Sequence, residues 1–209
     1  MSDLSAQSVS TWLKDFADVI NEQANYLTDL DRQIGDADHG SNMSRGMSAV
    51  AALDPASFTD ASGMLKKAGM TLVSTVGGAS GPLYGTFFLR LGTTFTSDGE
   101  LSAADLARGM QAGLDGIIAR GKASPGDKTL VDTLTPAVAA AQQAADEGRS
   151  LAEALQAASK AADQGRDATV DMIAKRGRAS YLGERSKGHQ DPGATSMALL
   201  IDSAARCLA

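Results

Sequence analysis

The feature that most constrains the fold is an apolar periodicity that continues through nearly the whole chain. Apolar side chains recur at intervals of three and four residues, a spacing that places them on one face of an α-helix. The first stripe covers residues 8 to about 30 and includes Trp12, Phe16 and Ile20. No segment has a convincing strand pattern, and we find no internal repeat, low-complexity tract or linker. The sequence therefore predicts an all-α chain.

Eight helices are predicted from these stripes and from the residues that flank them. Two of the predicted starts, Ser102 with Asp105 and Ser150 with Glu153, have the side chains of a capping box. Pro136 lies inside the sixth helix and is expected to bend it. The helices are predicted to begin at about residues 8, 39, 59, 82, 102, 129, 150 and 191, and the first, fifth, sixth and seventh to end at about residues 30, 120, 146 and 175.

Composition supports one domain over residues 1–209. The chain is 43% hydrophobic but only 4% aromatic, a balance that favours packed helices over a β-sandwich. The single cysteine, Cys207, excludes an intramolecular disulfide. Without an N-terminal signal segment or an apolar run that could span a bilayer, we expect a soluble, cytoplasmic protein with no membrane attachment. The net charge of −6 argues against direct nucleic-acid binding, which requires a basic face.

The stretch over residues 31–42 concentrates negative charge and reads D-R-Q-I-G-D-A-D-H-G-S-N. Its three carboxylates, Asp31, Asp36 and Asp38, repel one another unless a cation joins them, and carboxylate oxygens suit Mg²⁺. The next helix begins directly after them, where free backbone N–H groups favour an anion. The structural alternative is an Asp-rich turn with a helix N-cap. An EF-hand fits poorly, because Met47 occupies the position of the required glutamate.

Topology predicts that the unusual loops of the chain meet. In an up-and-down bundle of consecutive antiparallel helices, every odd-numbered connection lies at the same end. The even-numbered connections, around Pro55, at a polar turn over residues 96–99 and around Gly148, are ordinary. The chemically unusual loops follow the odd-numbered helices and cover residues 31–42, 77–81, 121–127 and 176–190. The sequence therefore predicts a metal and phosphate site shared by four loops at one end.

Two of these loops carry further groups that suit phosphate. The run G-G-A-S-G from Gly77 precedes a helix opened by Pro82 and allows backbone N–H groups to approach a ligand, although tight helix packing is the alternative. The last loop carries four cations, of which Arg178 is the predicted phosphate contact. His39 and His189 also lie among the loops, so a phosphohistidine on either is an alternative to direct phosphate transfer.

The third loop contains a false P-loop signal. Residues 116–122 satisfy the pattern G-x-x-x-x-G-K, but the next residue is Ala123 and the segment ends a helix, so a P-loop is rejected. Gly121 instead allows a flat base to lie against the backbone, with Leu130 offering apolar contact. Asp191, which precedes a proline at the last helix start, is either an ordinary cap or a hydrogen-bond acceptor for a ribose or base.

Four long and specific motifs span nearly the whole chain. They read L-D-R-Q-I-G-D-A-D-H-G from Leu30, G-G-A-S-G-P-L-Y-G from Gly77, R-G-K-A-S-P-G-D-K-T from Arg120, and G-R-A-S-Y-L-G-E-R-S-K-G-H-Q-D-P-G-A from Gly177. These motifs resemble the nucleotide-binding L subunits of dihydroxyacetone kinases. The resemblance implies an eight-helix barrel that binds ADP or ATP with Mg²⁺ at one end. It implies the metal ligands Asp31, Asp36 and Asp38 and the nucleotide contacts His39, Gly40, Ser41, Asn42, Ala79, Ser80, Gly121, Leu130, Arg178, Asp191, Pro192 and Gly193.

The resemblance also implies a phosphotransferase reaction with separate partners. A free-standing chain without a substrate domain resembles the L subunits whose bound ADP is recharged by a multiphosphoryl M subunit of the phosphoenolpyruvate-fed phosphotransferase system. Phosphate would then pass in line to dihydroxyacetone on a K subunit, with Arg178 stabilising charge and no covalent nucleophile on this chain. The alternatives are a nucleotide-loaded regulatory module that contacts a transcription regulator and an L subunit for another small ketose.

Overall fold

The fold is all-α, as predicted, in a computed structural model that describes residues 3–95 and 99–209. None of the described helices is both long and apolar enough to cross a membrane. Short 3₁₀ segments cover Pro55–Ser57, Thr169–Asp171 and Arg178–Ser186. The α-helices of the described residues are α1 (Ala6–Glu22), α2 (Ala24–Ile34), α3 (His39–Ala51), α4 (Ala61–Thr75), α5 (Ser80–Thr94), α6 (Ala103–Gly121), α7 (Leu130–Asp146), α8 (Leu151–Ala168) and α9 (Pro192–Cys207).

The helices form a closed ring in which neighbours along the chain pack side by side. α1 contacts α3 and α4 on one side and α9 on the other, so the first and last helices close the ring. Trp12 of α1 donates its indole N–H to the carbonyl of Leu200 in α9 at 3.3 Å. The same indole packs on Phe88 of α5, with 5.7 Å between the ring centroids. This arrangement is the predicted helical barrel.

Two glycines allow α4 and α5 to approach each other closely. A Cβ at Gly69 in α4 would lie 2.7 Å from the carbonyl oxygen of Gly85 in α5. A Cβ at Gly85 would in turn lie 2.8 Å from the carbonyl oxygen of Gly69. Because both obstructing atoms belong to helix backbones, any larger residue at either position would push the two helices apart.

The first predicted helix is two helices in the structure. The chain breaks at Gln23, where φ is −92° and ψ is 3°, and α2 begins at the next residue. Fully buried side chains continue on both sides of the break, including Ile20 and Leu27, so periodicity alone does not reveal it. The break affects the site, because Asp31 belongs to the last turn of α2 instead of to a loop.

Other predicted helix boundaries agree with the structure. Ser102 with Asp105 forms the capping box that opens α6, and Ser150 with Glu153 forms the one that opens α8. Pro136 lies within α7, which continues beyond it for the rest of its length. The predicted bend at this proline stays a prediction.

The predicted end of the seventh helix was wrong. α8 ends at Ala168 instead of near residue 175, and the chain tightens into the 3₁₀ turn that starts at Thr169. The hydroxyl of Thr169 donates to the carbonyl of Arg166 at 2.6 Å, and its own carbonyl accepts a bond from the side chain of Lys128. The loop after α8 therefore begins earlier than predicted, and the segment expected to be irregular contains a 3₁₀ stretch broken at Gly183.

One pair of short strands was not predicted. β1 (Asp3–Leu4) pairs antiparallel with β2 (Gly99–Glu100), which lies between α5 and α6. Strands of two residues are too short to show an alternating pattern, so the sequence carries no signal for them. The polar turn predicted at residues 96–99 lies mostly outside the described residues, which omit 96–98.

Candidate functional site

A cavity of about 580 Å³ opens at the end of the ring where α3, α5, α7 and α9 begin. All four of the unusual loops contribute lining residues to its wall, among them Asp36, Gly78, Gly121 and Arg178. The start of α9 completes the wall at residues 191–193. The predicted meeting of four loops at one end is therefore confirmed.

Three carboxylates gather on one side of this cavity. Asp31 belongs to the last turn of α2, and Asp36 and Asp38 come from the turn between α2 and α3. One oxygen atom from each carboxylate lies within 4.8 Å of the others. Oxygen atoms this close together can share one divalent cation, and hard carboxylate ligands suit Mg²⁺. The donor set therefore fits the predicted metal.

The turn between α2 and α3 is shaped to bring these carboxylates together. A Cβ at Gly35 would lie 2.0 Å from Oδ1 of Asp31, so the carboxylate occupies the space that a side chain would fill. Ala37 has a left-handed backbone with φ of 61°, which costs about 1–2 kcal/mol for a non-glycine residue. Oδ2 of Asp31 accepts the backbone N–H groups of Asp38 at 2.8 Å and His39 at 3.2 Å. These bonds fix the buried Asp31 against the start of α3.

Arg178 reaches the same cluster from the loop between α8 and α9. Its Nε lies 2.9 Å from Oδ2 of Asp36, and 69% of its side chain is exposed. An ion pair this exposed contributes little stability, so the guanidinium can exchange the carboxylate for a phosphate oxygen at low cost. Within this cluster three carboxylates face one guanidinium, so a divalent cation would bring the net charge of the cluster to zero.

A chain of hydrogen bonds runs from the cavity wall into the protein interior through α3, α5 and α9. The ring of His39 lies between two hydroxyls, with Nε2 2.8 Å from Oγ of Ser196 and Nδ1 3.2 Å from Oγ of Ser80. Oγ of Ser196 also lies 2.7 Å from the hydroxyl of Tyr84. Burial lowers the pKa of His39 to about 4, despite the opposing effect of nearby carboxylates. The imidazole is therefore neutral at pH 7 and both of its nitrogens have hydroxyl partners.

The start of α9 presents Asp191 to the cavity. Its carboxylate caps the helix by accepting the N–H of Ala194 at 2.7 Å, and Pro192 occupies the first turn, as predicted. Burial raises the pKa of Asp191 to about 7, although the bond from Ala194 and the charge of Lys128 lower it. The cap and a ligand contact are compatible, because a carboxylate can accept several hydrogen bonds.

Sequence reasoning assigned no role to Lys128, which the structure places in the cavity wall. The residue is only 1% exposed, and its Nζ donates to the carbonyls of Thr169 at 2.7 Å, Met172 at 3.2 Å and His189. Burial lowers the pKa of its ammonium. Residue types do not show which backbone carbonyls will lie near a lysine, so the partners of Lys128 could not be predicted from the sequence. The available signal was the position of this lysine inside the motif that starts at Arg120.

Two further acidic residues that the sequence analysis missed shape the loop around Lys128. Asp127 accepts the N–H of Ser124 at 2.9 Å, and Asp132 accepts the N–H groups of Gly126 at 2.5 Å and Thr129 at 2.8 Å. Both acidic residues are buried. They hold the loop before α7 by its backbone.

Most of the predicted site residues line the cavity, but three consecutive ones are not among its lining residues. A Cβ at Gly40 would lie 1.9 Å from the carbonyl oxygen of Ala24, so this glycine lets α3 pack on α2. Ser41 donates its hydroxyl to a carbonyl of the preceding turn, and Asn42 accepts a bond from Arg45 at 2.6 Å. Nucleotide contacts by these three residues stay predictions. The predicted residues in the wall are Asp31, Asp36, Asp38, His39, Ala79, Ser80, Gly121, Leu130, Arg178, Asp191, Pro192 and Gly193.

The chain matches a known class of domain. Residues 33–206 match the DAK2 domain, and the chain belongs to this family. It is 47% identical over 199 residues to the ADP-binding subunit DhaL of the PEP-dependent dihydroxyacetone kinase of Escherichia coli, with 95% of each chain covered. It is 40% identical over 201 residues to the ADP-binding subunit DhaL of the PTS-dependent dihydroxyacetone kinase of Lactococcus lactis, with 96% of each chain covered.

Solved structures of a larger kinase contain the same fold. The native dihydroxyacetone kinase of C. freundii gives a TM-score of 0.72 at 24% identity, over 95% of this chain and 34% of that chain. A structure of the C. freundii kinase with AMP-PNP and Mg²⁺ gives a TM-score of 0.70. At this level of identity the likeness shows the fold alone, and the chain spans about a third of the solved one.

Proposed function

We propose that this chain is the ADP-binding subunit of a phosphoenolpyruvate-dependent dihydroxyacetone kinase. The observation that carries the proposal is the composition of the cavity. Three carboxylates with oxygens within 4.8 Å of one another share its wall with Arg178 and with the starts of four helices. The substrate class is supported by relatives of that name, which this chain matches over nearly its whole length.

In this proposal Asp31, Asp36 and Asp38 hold Mg²⁺. When bound, the ion neutralises charge on the phosphate oxygens of ADP or ATP. Asp31 is already fixed by backbone N–H groups at the start of α3, while Asp36 forms an exposed ion pair with Arg178. The cluster therefore combines one rigid ligand with ligands that can adjust to the ion.

The remaining groups position the nucleotide and stabilise charge. N–H groups in the first turn of α5 lack acceptors within their own helix and suit phosphate oxygens. Arg178 places positive charge near the phosphates during transfer, and the wall at Gly121 and Leu130 offers a flat, partly apolar surface for adenine. In-line transfer from nucleotide to acceptor needs no nucleophile on this chain.

The two histidines support this assignment. Both ring nitrogens of the buried His39 lie next to hydroxyls, and Nδ1 of His189 lies 2.7 Å from Oε1 of Gln33. Each ring is therefore already held by hydrogen bonds, which suits a positioned wall residue better than a phosphate carrier. We propose that neither histidine is phosphorylated.

The partners in this proposal are a dihydroxyacetone-binding K subunit as acceptor and a multiphosphoryl M subunit as donor. We place the reaction in the cytoplasm, in keeping with these partners. Purified protein should show bound ADP and Mg²⁺ in a non-denaturing mass spectrum, and should lose both on treatment with EDTA. With phosphoenolpyruvate, the upstream carriers, and the M and K subunits, formation of dihydroxyacetone phosphate should require this chain.

The same assay separates the alternatives. A chain that retains nucleotide but transfers no phosphate would contradict the kinase proposal and favour a regulatory module that contacts a transcription regulator. Faster transfer to another small ketose would reassign the substrate. With labelled phosphoenolpyruvate and rapid quenching, the label should lie in the nucleotide. Acid-labile label on this polypeptide that disappears in His39→Ala or His189→Ala would contradict in-line transfer.

A further inference from the structure

The segment over residues 169–191, called here the cationic loop, leaves α8, carries Arg178 to the cavity and returns to α9. The two limbs of the loop are joined near its base. The backbone N–H of Asp191 donates to Oγ1 of Thr169 at 3.1 Å, and the N–H of Gly188 donates to the carbonyl of Val170 at 2.7 Å. The position of Arg178 therefore depends on a closed base.

Lys128 fills this base with its ammonium group. Its Nζ donates to the carbonyls of Thr169 and Met172 on the outgoing limb and to that of His189 on the returning limb. An ammonium group has three N–H donors, so each donor has one carbonyl acceptor. The lysine comes from the loop before α7 and joins three segments that are distant in sequence.

The backbone around Lys128 is also committed to the cationic loop. The carbonyl of the preceding residue, Asp127, accepts the N–H of Lys175 at 3.0 Å, and its carboxylate lies 3.3 Å from Nε of Arg176. Lys128 itself has a left-handed backbone with φ of 62°, which is disfavoured for a residue with a Cβ. Such a conformation persists where the surrounding structure determines it.

We propose that Lys128 is a positioning residue that acts as a built-in cation: its ammonium closes the base of the cationic loop and thereby sets how long the nucleotide is retained. The inference rests on the proposed function. Because its three donors are bound to carbonyls, Lys128 acts through Arg178 and Asp191, which the loop and its return to α9 carry to the cavity.

A neutral side chain of similar length would leave the base without its donors. In Lys128→Met, three carbonyl oxygens would face an apolar group, and a buried acceptor without a donor is unfavourable. The base would open, and Arg178 would lose its fixed position. The helical core would stay intact, because the three hydrogen bonds that the substitution removes all join loop residues.

The test measures the rate at which labelled ADP leaves the protein in the presence of Mg²⁺ and excess unlabelled ADP. Lys128→Met should release ADP about tenfold faster than the parent or more, with unchanged helix content. Lys122→Met is the matched control, because Lys122 is an exposed lysine before α7 that also has a left-handed backbone, with φ of 55°. This control should release ADP at the parent rate.

A second measurement tests whether Lys128 acts through the positive charge of its ammonium group or only by filling space. Lys128→Ala leaves space at the carbonyls, so ammonium or methylammonium ions should slow its release of ADP towards the parent rate, whereas sodium should not. Lys128→Met should not respond, because its side chain fills the space. A purely structural loss would not depend on the identity of the cation.

The outcomes distinguish this inference from the proposed function. If the parent retains ADP and Lys128→Met releases it at the parent rate, the inference is overturned and the proposed function stands. If ammonium ions do not change the rate at which Lys128→Ala releases ADP, the proposed role of Lys128 as a cation is overturned. If the parent retains no ADP, the proposed function itself fails. If the variants do not fold, lysine Nζ NMR of the parent decides: one ammonium signal protected from solvent exchange is expected, and its absence overturns the inference.

Discussion

At the scale of single residues, the three aspartates of the carboxylate cluster differ in what they contribute to the fold. Asp31 is buried and accepts two backbone N–H groups, while Asp36 is exposed and pairs with the exposed Arg178. Both carboxylates face the same cavity. Their removal should therefore have the same effect on metal-dependent binding and different effects on stability.

We expect Asp31→Ala and Asp36→Ala both to lose Mg²⁺-dependent retention of ADP. Asp31→Ala should also lower the free energy of unfolding by about 1–3 kcal/mol, because two backbone N–H groups lose their acceptor. Asp36→Ala should change it by less than about 0.5 kcal/mol. Urea denaturation of the metal-free proteins measures stability, and an ADP retention assay measures binding.

The control for this comparison is Asp115→Ala. Asp115 is an exposed carboxylate on α6 that accepts a bond from Gln111 at 2.7 Å and does not line the cavity. This variant should keep both ADP retention and stability. Retention of ADP by either cluster variant would show that its aspartate is not a metal ligand, and equal losses of stability would contradict the role of Asp31 in the turn.

Asp191 is expected to give stability a pH dependence of unusual sign. Burial raises its pKa to about 7 in the folded protein, whereas the ordinary value is 3.8. Between these values the folded state holds a proton that the unfolded chain has lost. The contribution of Asp191 to the free energy of unfolding therefore falls as pH rises from about 4 to about 7.

Asp191→Asn should remove this fall while keeping the helix cap, because Asn also caps helices. The stability of the variant relative to the parent should therefore increase from about pH 4 to about pH 7, as measured by urea denaturation at several pH values. His39, whose lowered pKa acts in the opposite direction, is present in both proteins and cancels in the comparison. A difference that stays constant with pH would rule out this titration.

At the scale of secondary structure elements, the hydrogen bonds that start at His39 in the cavity wall link three helices that are distant in sequence. Tyr84 of α5 and His39 of α3 both lie within hydrogen-bonding distance of Ser196 of α9. Tyr84→Phe should cost about 1 kcal/mol of stability, because it removes one buried hydrogen bond. In a double-mutant cycle with Ser196→Ala, the two changes should couple by about 0.5 kcal/mol or more.

A second cycle provides the control for this coupling. Ser62 donates to the carbonyl of Gly92 at 2.5 Å, about 12 Å along α5 from Tyr84. Tyr84→Phe and Ser62→Ala should therefore be additive in the free energy of unfolding. Coupling of similar size in both cycles would mean that the hydrogen-bonded chain is not the source of the effect.

Helix starts were predictable from the sequence where a side chain binds the local backbone. Ser102 with Asp105 and Ser150 with Glu153 are examples, because both partners of each cap lie within four residues. The break at Gln23 was not predictable, since glutamine does not stop helices and the apolar stripe continues across it. The strands β1 and β2 were too short to leave a pattern.

The outline of the candidate site was predictable because alternate connections of an up-and-down bundle share one end. This rule places Asp36 and Arg178 in one cavity, although they are far apart in sequence. The role of Lys128 was not predictable, because its partners are backbone carbonyls whose positions depend on the finished fold. The hydrogen bonds of the His39 ring were likewise not predictable, because their partners are hydroxyls on two other helices.

At the scale of the whole molecule, the single tryptophan reports on the closure of the ring. Trp12 belongs to α1 and contacts α5 and α9. Thermal unfolding followed by tryptophan fluorescence and by far-UV circular dichroism should give the same midpoint, as expected for one cooperative unit. A lower midpoint by fluorescence would instead mean that the ring opens before its helices unfold.

Nucleotide and metal should stabilise this unit as a whole. ADP with Mg²⁺ at about 100 times the dissociation constant should add about 2.7 kcal/mol to the free energy of unfolding. Addition of EDTA to the ADP-loaded protein should therefore lower both midpoints by the same amount. An EDTA effect on only one signal would indicate that the cavity end unfolds separately from the rest of the barrel.

The ring has one pole that carries the cavity and an opposite pole. β1 pairs with the connection that follows α5, and α5 and α9 both begin at the cavity and run away from it. Both ends of the described chain therefore lie at the pole opposite the cavity. A tag, a fluorescent protein or a second catalytic domain can be joined at either end by a flexible linker without passing the chain across the cavity entrance.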